Sequence, residues 1–381
     1  MLSFDDLALR TTPRGSGIQH RPDSDPEERQ TRPMTRKGTK TIAVVGITGN
    51  QVQSPARCRS TTLYHAKRRK GSSVAATFLA DPDWTVRGIT RDPTKETSTK
   101  WAKRGVDIVA GDLDVPGSMD KTFRGANVIF GTTDFVQHLQ DPRIIANAGN
   151  RHINEAATER EFEQAKRLID AAAANISTLE RFILSTLSDC KGLSGGKIQY
   201  NLHFDCKWAA VEYLQDRYPE LWKKTSLLQL GIFASNWKVP YYTPKKQADG
   251  RFKVSLPMSG DKKFPIIDPN SDTGVLTQAL LKIKAGNHLV GASSMITWIE
   301  WCELWSSTTG VECIFETIDR RILEDAMGPL GKEIADMFQF MNDFGYDGND
   351  PNVVYPWDLD VKVETTPIEK YLEMQDWSAV L

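Results

Sequence analysis

The sequence predicts an α/β protein with a doubly wound parallel sheet, followed by a smaller mixed α/β region. Two observations lead to this fold class. Short apolar runs rich in β-branched residues, which are typical of strands buried on both faces, alternate with helical stretches between residues 41 and 231. The first run is followed at once by a turn that contains two glycines. Alternating strands and helices favour a parallel sheet with helices on both faces and right-handed crossovers.

The alternating part is expected to hold six strands and five helices. The strands are predicted at residues 41–45, 84–90, 106–110, 127–131, 181–185 and 225–231, and the helices at residues 71–83, 95–104, 118–123, 155–174 and 204–218. After about residue 236 the alternation ends. The aromatic residues of the remaining segments suit a hydrophobic core, and they also suit the wall of a ligand cleft.

Composition argues against several classes of protein. The 48 Lys and Arg residues nearly balance the 49 Asp and Glu residues, which is not the basic excess of a general nucleic-acid binder. No apolar run is long enough for a membrane span. The five cysteines are scattered and form no CxxC pair, so we expect no metal site and a cytoplasmic location. Residues 1–40 are polar and contain prolines, which predicts a disordered tail.

The turn after the first strand predicts a phosphate-binding loop. Gly46 and Gly49 stand where glycine lets the backbone approach a pyrophosphate, and the next helix offers free N–H groups. Residues 52–70 separate this turn from the helix, and they carry six basic side chains and no acidic one. Without them, Gln51 would adjoin Gly71 and the glycines would have the spacing GxxGxxG.

Two explanations of residues 52–70 stay open. A valine codon begins with GT and a lysine codon can end in AG, so Val52 and Lys70 fit the ends of a short in-frame intron retained in the gene model. This explanation is the favoured one. The other is a genuine basic insertion, either a solvated loop or a flap over the phosphates. Binding of nucleic acid through this segment is a weaker hypothesis.

The cofactor preference is predicted from Arg91, which comes directly after the second strand. An NAD enzyme favours an acidic residue there, which binds the ribose 2′-OH, whereas a guanidinium suits the 2′-phosphate of NADP. The sequence therefore predicts NADP. The alternative interpretation is an exposed arginine with no ligand.

Eight segments carry a resemblance to a known family. They are GITGNQ at 46–51, GSSVA at 71–75, TRDPTK at 90–95, GVDIVAGDLDVP at 105–116, GANVIFGTTDF at 125–135, HFDCKWAAVEYL at 203–214, LGIFASN at 230–236 and KEIADMFQFMNDFGY near the C-terminal end. With them the chain resembles the NmrA-like family, an atypical branch of the short-chain dehydrogenase/reductase superfamily. The resemblance implies a Rossmann domain over residues 41–236 that binds NADP. A small C-terminal subdomain, residues 237–381, would be interleaved with it.

The resemblance also assigns cofactor contacts to residues that follow the strands, where an open α/β sheet binds ligands. In the phosphate loop they are Gly46, Ile47, Thr48, Gly49, Asn50 and Gln51. Toward the adenosine they are Arg91, Asp92, Thr94, Lys95, Asp112 and Leu113. Toward the nicotinamide they are Thr133, Asp134, Phe135, Lys207, Phe233, Ala234, Ser235 and Asn236.

The catalytic set of the superfamily is only partly present. Active members use a Tyr-x-x-x-Lys helix and a nearby serine, and here Lys207 stands at the lysine position with Ser185 or Thr186 near the serine position. His203 occupies the tyrosine position, four residues before Lys207 on the same helix face. An imidazole can serve as a general acid, although a histidine without a catalytic role is the alternative. Tyr200, two turns before Lys207, is a weaker candidate.

Two functions follow from the resemblance. The first is an NADP-dependent oxidoreductase of the NmrA type that acts on a small organic carbonyl or enone, in fungal secondary metabolism. The second is a non-catalytic redox sensor and transcriptional co-regulator that binds NADP and a protein partner. A nuclear location would suit this second function.

Overall fold

The computed structural model describes residues 40–48 and 70–381. The strands are β1 (Lys40–Val45), β2 (Trp84–Thr90), β3 (Asp107–Ala110), β4 (Val128–Gly131), β5 (Arg181–Thr186), β6 (Thr225–Leu230), β7 (Ile232–Phe233), β8 (Lys245–Lys246), β9 (Phe252–Leu256), β10 (Phe264–Ile267), β11 (His288–Gly291), β12 (Ser294–Ile296), β13 (Cys313–Thr317) and β14 (Val353–Val354). The helices are α1 (Lys70–Leu79), α2 (Glu96–Lys103), α3 (Phe135–His138), α4 (Pro142–Asn147), α5 (Ile153–Ala173), α6 (Cys190–Leu193), α7 (Leu202–Arg217), α8 (Pro219–Trp222), α9 (Pro269–Lys282), α10 (Trp298–Thr309), α11 (Arg321–Met327), α12 (Pro329–Phe344) and α13 (Ile368–Glu373).

Eight strands form the main sheet, in the order β14-β11-β6-β5-β4-β1-β2-β3. Every neighbouring pair is parallel. The strand order reverses between β1 and β4, where Ile42 lies opposite Val128. An open α/β sheet binds its ligands at such a reversal. The predicted α/β fold with a parallel sheet is confirmed.

Alternation along β1 explains why helices cover both faces of the sheet. Ile42 and Val44 pack in the core formed with α1 and α9, whereas Ala43 and Val45 pack in the core formed with α5 and α7. Successive side chains of a strand point to opposite faces, so one apolar run supplies both cores. Residues 42–45 are thus all buried.

Three elements differ from the sequence prediction. The helix predicted at residues 118–123 is wrong, because this segment after Gly117 (φ +75°) forms isolated turns such as Thr122 N–H to Met119 O. The alternation does not end near residue 236, since α9 and β11 add another helix and a fully buried parallel strand. Finally, Lys70 is the first residue of α1 and so is not part of an insertion outside the helix.

The C-terminal residues build a second core beside the sheet. Two three-stranded sheets, β12-β10-β7 and β13-β9-β8, pack with α10, α12 and α13. Aromatic side chains fill this core, and the rings of Phe252 and Trp305 lie 5.2 Å apart. Across residues 40–48 and 70–381, no helix is both long and apolar enough to cross a membrane.

Candidate functional site

A cleft of about 590 Å³ opens at the carboxyl ends of the central strands. Its walls come from the loops after β1, β2, β3, β4 and β6, together with α7 and α12. The cleft therefore lies at the reversal of strand order and extends to the C-terminal region. Its size and position suit a dinucleotide with a small molecule beside it.

The turn between β1 and α1 forms the floor of this cleft. Gly46 has a φ of +76°, a conformation that favours glycine. A Cβ atom on Gly71 would lie 2.7 Å from the backbone of Gly46, so only glycine lets the first turn of α1 approach the strand this closely. Gly46 and Thr48 line the cleft. The predicted contacts Gly49, Asn50 and Gln51 lie outside the described residues, as do residues 52–69 of the basic segment.

The predicted adenosine contacts lie along one end of the cleft. Lining residues from this group are Arg91, Asp92, Lys95, Asp112 and Leu113. The carboxylate of Asp92 accepts hydrogen bonds from the Thr94 hydroxyl (2.6 Å) and the Thr94 N–H (2.9 Å), and these bonds hold the pKa of Asp92 below its ordinary value. Thr94 supports this turn and does not line the cleft.

The predicted nicotinamide contacts are divided between the cleft and the core. Thr133, Asp134, Phe135, Lys207, Phe233 and Asn236 line the cleft. Ile47, which was predicted to contact the cofactor from the phosphate loop, does not line the cleft, because its side chain is fully buried in the core against Gly88. Ala234 and Ser235 are buried in a 3₁₀ turn and do not line the cleft either.

Lys207 forms a buried ion pair that the sequence did not reveal. Its Nζ donates to Glu161 Oε1 (2.5 Å), Thr133 Oγ1 (3.1 Å) and Thr133 O (3.4 Å), which accounts for all three N–H groups of the ammonium. Glu161 also accepts a bond from the Cys206 thiol (2.9 Å).

Both members of this pair are ionised. Burial disfavours the charged form of Glu161, but the Lys207 ammonium outweighs it and holds the pKa of the carboxyl below its ordinary value. Burial likewise opposes protonation of Lys207, and the Glu161 carboxylate more than compensates, so the pKa of the ammonium is raised. The lysine thus keeps its charge at the cleft wall.

His203 forms a second pair, with Glu333 of α12. Its Nδ1 lies 2.9 Å from Glu333 Oε1, and its backbone N–H donates to the same oxygen at 3.0 Å. The ring lines the cleft. Its Nε2 has no hydrogen-bond partner among residues 40–48 and 70–381. An imidazole held in this way can exchange a proton through Nε2.

The other predicted catalytic candidates lie outside the cleft lining. Tyr200 donates its hydroxyl to Glu155 (3.1 Å) in a separate groove. Thr186 is buried and donates to Lys207 O. Ser185 accepts a bond from Lys70 Nζ (3.1 Å), and Lys70, which was predicted to belong to the insertion, lines the cleft with its ammonium 5.5 Å from the Phe233 ring centre. In the part of the chain that the structure describes, no cluster of His, Cys, Asp and Glu suits a metal ion.

Glu161 and Glu333 share a signal that the sequence analysis did not use. Each stands on the apolar stripe of an amphipathic helix: Leu168 lies seven residues after Glu161, and Met337 lies four residues after Glu333, and both are buried. Carboxylates are almost never fully buried unless they are paired. An acid on such a stripe therefore indicates a buried partner, although not which one.

The parallel sheet, the glycine turn and the cleft at the strand reversal define a Rossmann-type α/β protein. The NmrA-like family model matches residues 62–379, and the chain belongs to this family. The family resemblance predicted from the sequence is thereby confirmed.

Some of the curated relatives are fungal proteins named as oxidoreductases. The chain is 25% identical to the NmrA-like family domain-containing oxidoreductase FrzB of Cladobotryum sp, over 73% of this chain and 76% of FrzB. It is 24% identical to the oxidoreductase lnaB of Aspergillus flavus, over 68% of this chain and 75% of lnaB.

Solved structures with the same fold bind nicotinamide dinucleotides. NmrA, described as a negative transcriptional regulator, has been solved with NADP and with NAD, and each complex aligns with a TM-score of 0.60 at 17% identity, over 89% of this chain and 95% of NmrA. Leucoanthocyanidin reductase of Vitis vinifera, solved with NADPH, aligns with a TM-score of 0.58 at 14% identity, over 87% of this chain and 98% of the reductase. At identities this low, the structural alignments establish a shared fold and nothing more.

Proposed function

We propose that this protein is an NADP-dependent oxidoreductase that transfers a hydride between NADP(H) and a small organic carbonyl or enone. The observation that carries the proposal is His203, an imidazole in the same cleft as the glycine turn, whose Nε2 has no hydrogen-bond partner within the described part of the chain. Hydride transfer to a carbonyl needs a proton for the oxygen, and His203 is the residue that would donate it. The fungal relatives named as oxidoreductases support this reaction class and a role in secondary metabolism.

The preference for NADP rests on the end of β2. Arg91 and Lys95 line the cleft there and would bind the 2′-phosphate. The neighbouring acid, Asp92, accepts two hydrogen bonds from Thr94 on Oδ1, which ties that oxygen to its own turn. The proposal for NADP therefore rests on the two cations Arg91 and Lys95 at this end of the cleft.

The cofactor proposal is tested with Arg91→Ala. Dissociation constants for NADP and NAD are measured by calorimetry on both proteins. Loss of a charge-assisted hydrogen bond is expected to weaken NADP binding by roughly 1.5–3 kcal/mol and to leave NAD binding nearly unchanged. A wild-type protein that prefers NAD would overturn the cofactor preference.

The reaction is tested by the oxidation of NADPH with a panel of aldehydes, ketones and enones. Turnover that falls by roughly a hundredfold in His203→Ala, with NADPH binding retained, is the expected result. Turnover that is unchanged in this variant would remove His203 from the mechanism.

A second function is a redox sensor that binds NADP without turnover. The observation that favours it is the position four residues before Lys207, which carries His203 and not tyrosine, while Tyr200 lies in a different groove. The regulator NmrA shares the fold. Tight binding of both NADP and NADPH, with no oxidation across the panel, would favour this function over the enzyme.

A further inference from the structure

The half of the cleft that faces α12 has a different chemistry from the half at β2. Apolar and aromatic side chains cover it, from α12 and from the segments after β6 and α12. They are Tyr241, Tyr242, Leu330, Ile334, Met337 and Tyr346. Such a wall binds an apolar, ring-bearing molecule through burial and ring contacts.

We infer that Glu333 is a positioning residue that fixes His203 for proton transfer to an apolar, ring-bearing carbonyl substrate lying against α12. This inference rests on the proposed function. It extends that function by giving the substrate class, and by including a carboxylate that lies 130 residues from the histidine in sequence.

Three hydrogen bonds fix the Glu333 carboxylate, which is fully buried. Oε1 accepts from the backbone N–H and from Nδ1 of His203, and Oε2 accepts from Asn154 Nδ2 at 3.1 Å. These partners lie on α7 and α5, so α12 is joined to both helices at this point. The carboxylate is therefore held in one orientation relative to the ring.

The contact with the backbone N–H adds a second effect. His203 is the second residue of α7, and the N-cap residue Asn201 makes no side-chain capping bond. Glu333 supplies the missing acceptor, and a carboxylate is favourable at the positive end of a helix dipole. The helix start and the imidazole ring are thus positioned by the same oxygen.

The tautomer of His203 follows from this geometry. A carboxylate oxygen 2.9 Å from Nδ1 requires the proton on Nδ1, so Nε2 is the nitrogen that gains and loses a proton. Of the charged groups near the ring, Glu333 of α12 contacts it and Asp205 of α7 interacts with it electrostatically. Lys207 of α7 and Asp134 after β4 line the same cleft. Asp205 is paired with Lys191, and Lys207 with Glu161 of α5. Glu333 is the group that contacts the imidazole.

Bound NADPH would supply a hydride, with both electrons of the C–H bond that breaks, to the carbonyl carbon. The electron pair of the C=O π bond moves to the oxygen, which takes the proton from protonated Nε2. The products are the alcohol and NADP⁺, and His203 is protonated again from water.

The test compares Glu333→Gln with Asp336→Asn. Asp336 is a buried carboxylate one turn further along α12 that binds the Tyr200 N–H and Arg320, and it does not contact His203. It therefore controls for general damage to the helix. Both variants are assayed with aryl aldehydes and aryl ketones. For each one, kcat and kcat/KM are measured as functions of pH.

We expect kcat of Glu333→Gln to fall by roughly tenfold to a hundredfold, as for a misplaced catalytic group. The loss should appear in kcat, with KM for the carbonyl near the wild-type value, because Glu333 orients the ring and does not bind the substrate. Asp336→Asn should keep the wild-type profile. Equal profiles for Glu333→Gln and the wild type would overturn the inference, as would a faster rate with charged, aliphatic carbonyls than with ring-bearing ones.

A second measurement does not depend on turnover. The ¹⁵N shifts of the His203 ring, assigned by their loss in His203→Asn, report which nitrogen carries the proton. The wild type should show a proton on Nδ1, and Glu333→Leu, which removes the acceptor altogether, should move the population towards Nε2–H. If this shift occurs while no carbonyl is reduced, the proposed function fails and the positioning role of Glu333 stands. If the tautomer is unchanged, the positioning role fails.

Discussion

Lys207 and Glu161 form a buried ion pair. Removing one member should destabilise the protein much more than removing both. The lysine side chain is 9% exposed and the glutamate side chain 1% exposed. In Lys207→Met the Glu161 carboxylate stays in the protein interior with the Cys206 thiol as its remaining side-chain donor on α7. An uncompensated buried charge is costly, because neither water nor a counter-ion solvates it.

Single removal is expected to cost roughly 3–5 kcal/mol of unfolding free energy, as for other buried pairs. The double variant Glu161→Leu with Lys207→Met removes both charges. Its stability should return to within about 1–2 kcal/mol of the wild type, since apolar side chains of similar volume can replace such a pair. The difference between the single and double variants is the quantity of interest.

The assay is urea unfolding followed by tryptophan fluorescence, with NADP affinity measured on the same proteins. Lys223→Met is the matched control, because Lys223 and Glu220 form an exposed pair at a similar distance (2.6 Å), and its loss should barely move the midpoint. NADP affinity should stay low in the double variant if Lys207 exchanges its longest bond, to Thr133 O, for a ribose hydroxyl. A double variant as unstable as Lys207→Met would refute the reasoning on charge.

Two further predictions concern α1 and α9. Deletion of residues 52–70, which joins Gln51 to Gly71, should leave NADP affinity by calorimetry at least as high as in the full chain, because it restores the glycine spacing of the loop; a protein that no longer binds NADP would contradict this. Burial raises the pKa of Asp272 to about 6 from 3.8, so its protonated form favours folding, a contribution that is complete below pH 3.8 and lost as the pH rises to about 6. Relative to the wild type, Asp272→Asn should therefore gain unfolding free energy between pH 4 and pH 7, measured by urea unfolding. A difference in unfolding free energy that stays constant over this range would contradict the prediction.

Much of the fold could be predicted because a short segment of sequence is enough to identify each central strand. TIAVV, RFILS and TSLLQL each contain a mainly apolar stretch, and each one forms a largely buried parallel strand. By contrast, β11 consists of four residues and follows α9, whose buried face includes Asp272, Thr273 and Thr277. Polar residues on a buried helix face weaken the helical periodicity on which the prediction depends. The last part of the alternation was missed for this reason.

The residues of the candidate site also fall into a group that the sequence could predict and a group that it could not. Arg91, Asp112 and Thr133 could be found because each follows a strand of the sheet, and topology brings the ends of parallel strands together. No such rule locates Glu161 and Glu333, which lie 46 and 130 residues from Lys207 and His203 respectively. Their partners are set by how α5, α7 and α12 pack. In the sequence, a tertiary contact of this kind is visible only as an acidic residue on the apolar stripe of a helix.

The two carboxylates also distinguish the general part of the site from the specific part. Glu161 belongs to α5, a helix of the Rossmann domain, and it holds Lys207 whatever molecule lies beside the cofactor. Glu333 belongs to α12, which also supplies Leu330, Ile334 and Met337 to the cleft wall. One helix therefore carries both the residue proposed to orient the proton donor and the surface proposed to contact the substrate. A change in α12 that alters substrate choice would move Glu333 as well, so specificity and proton transfer are expected to be coupled in this protein. Substitutions at Met337 that enlarge the cleft without moving the backbone are the ones that should separate the two.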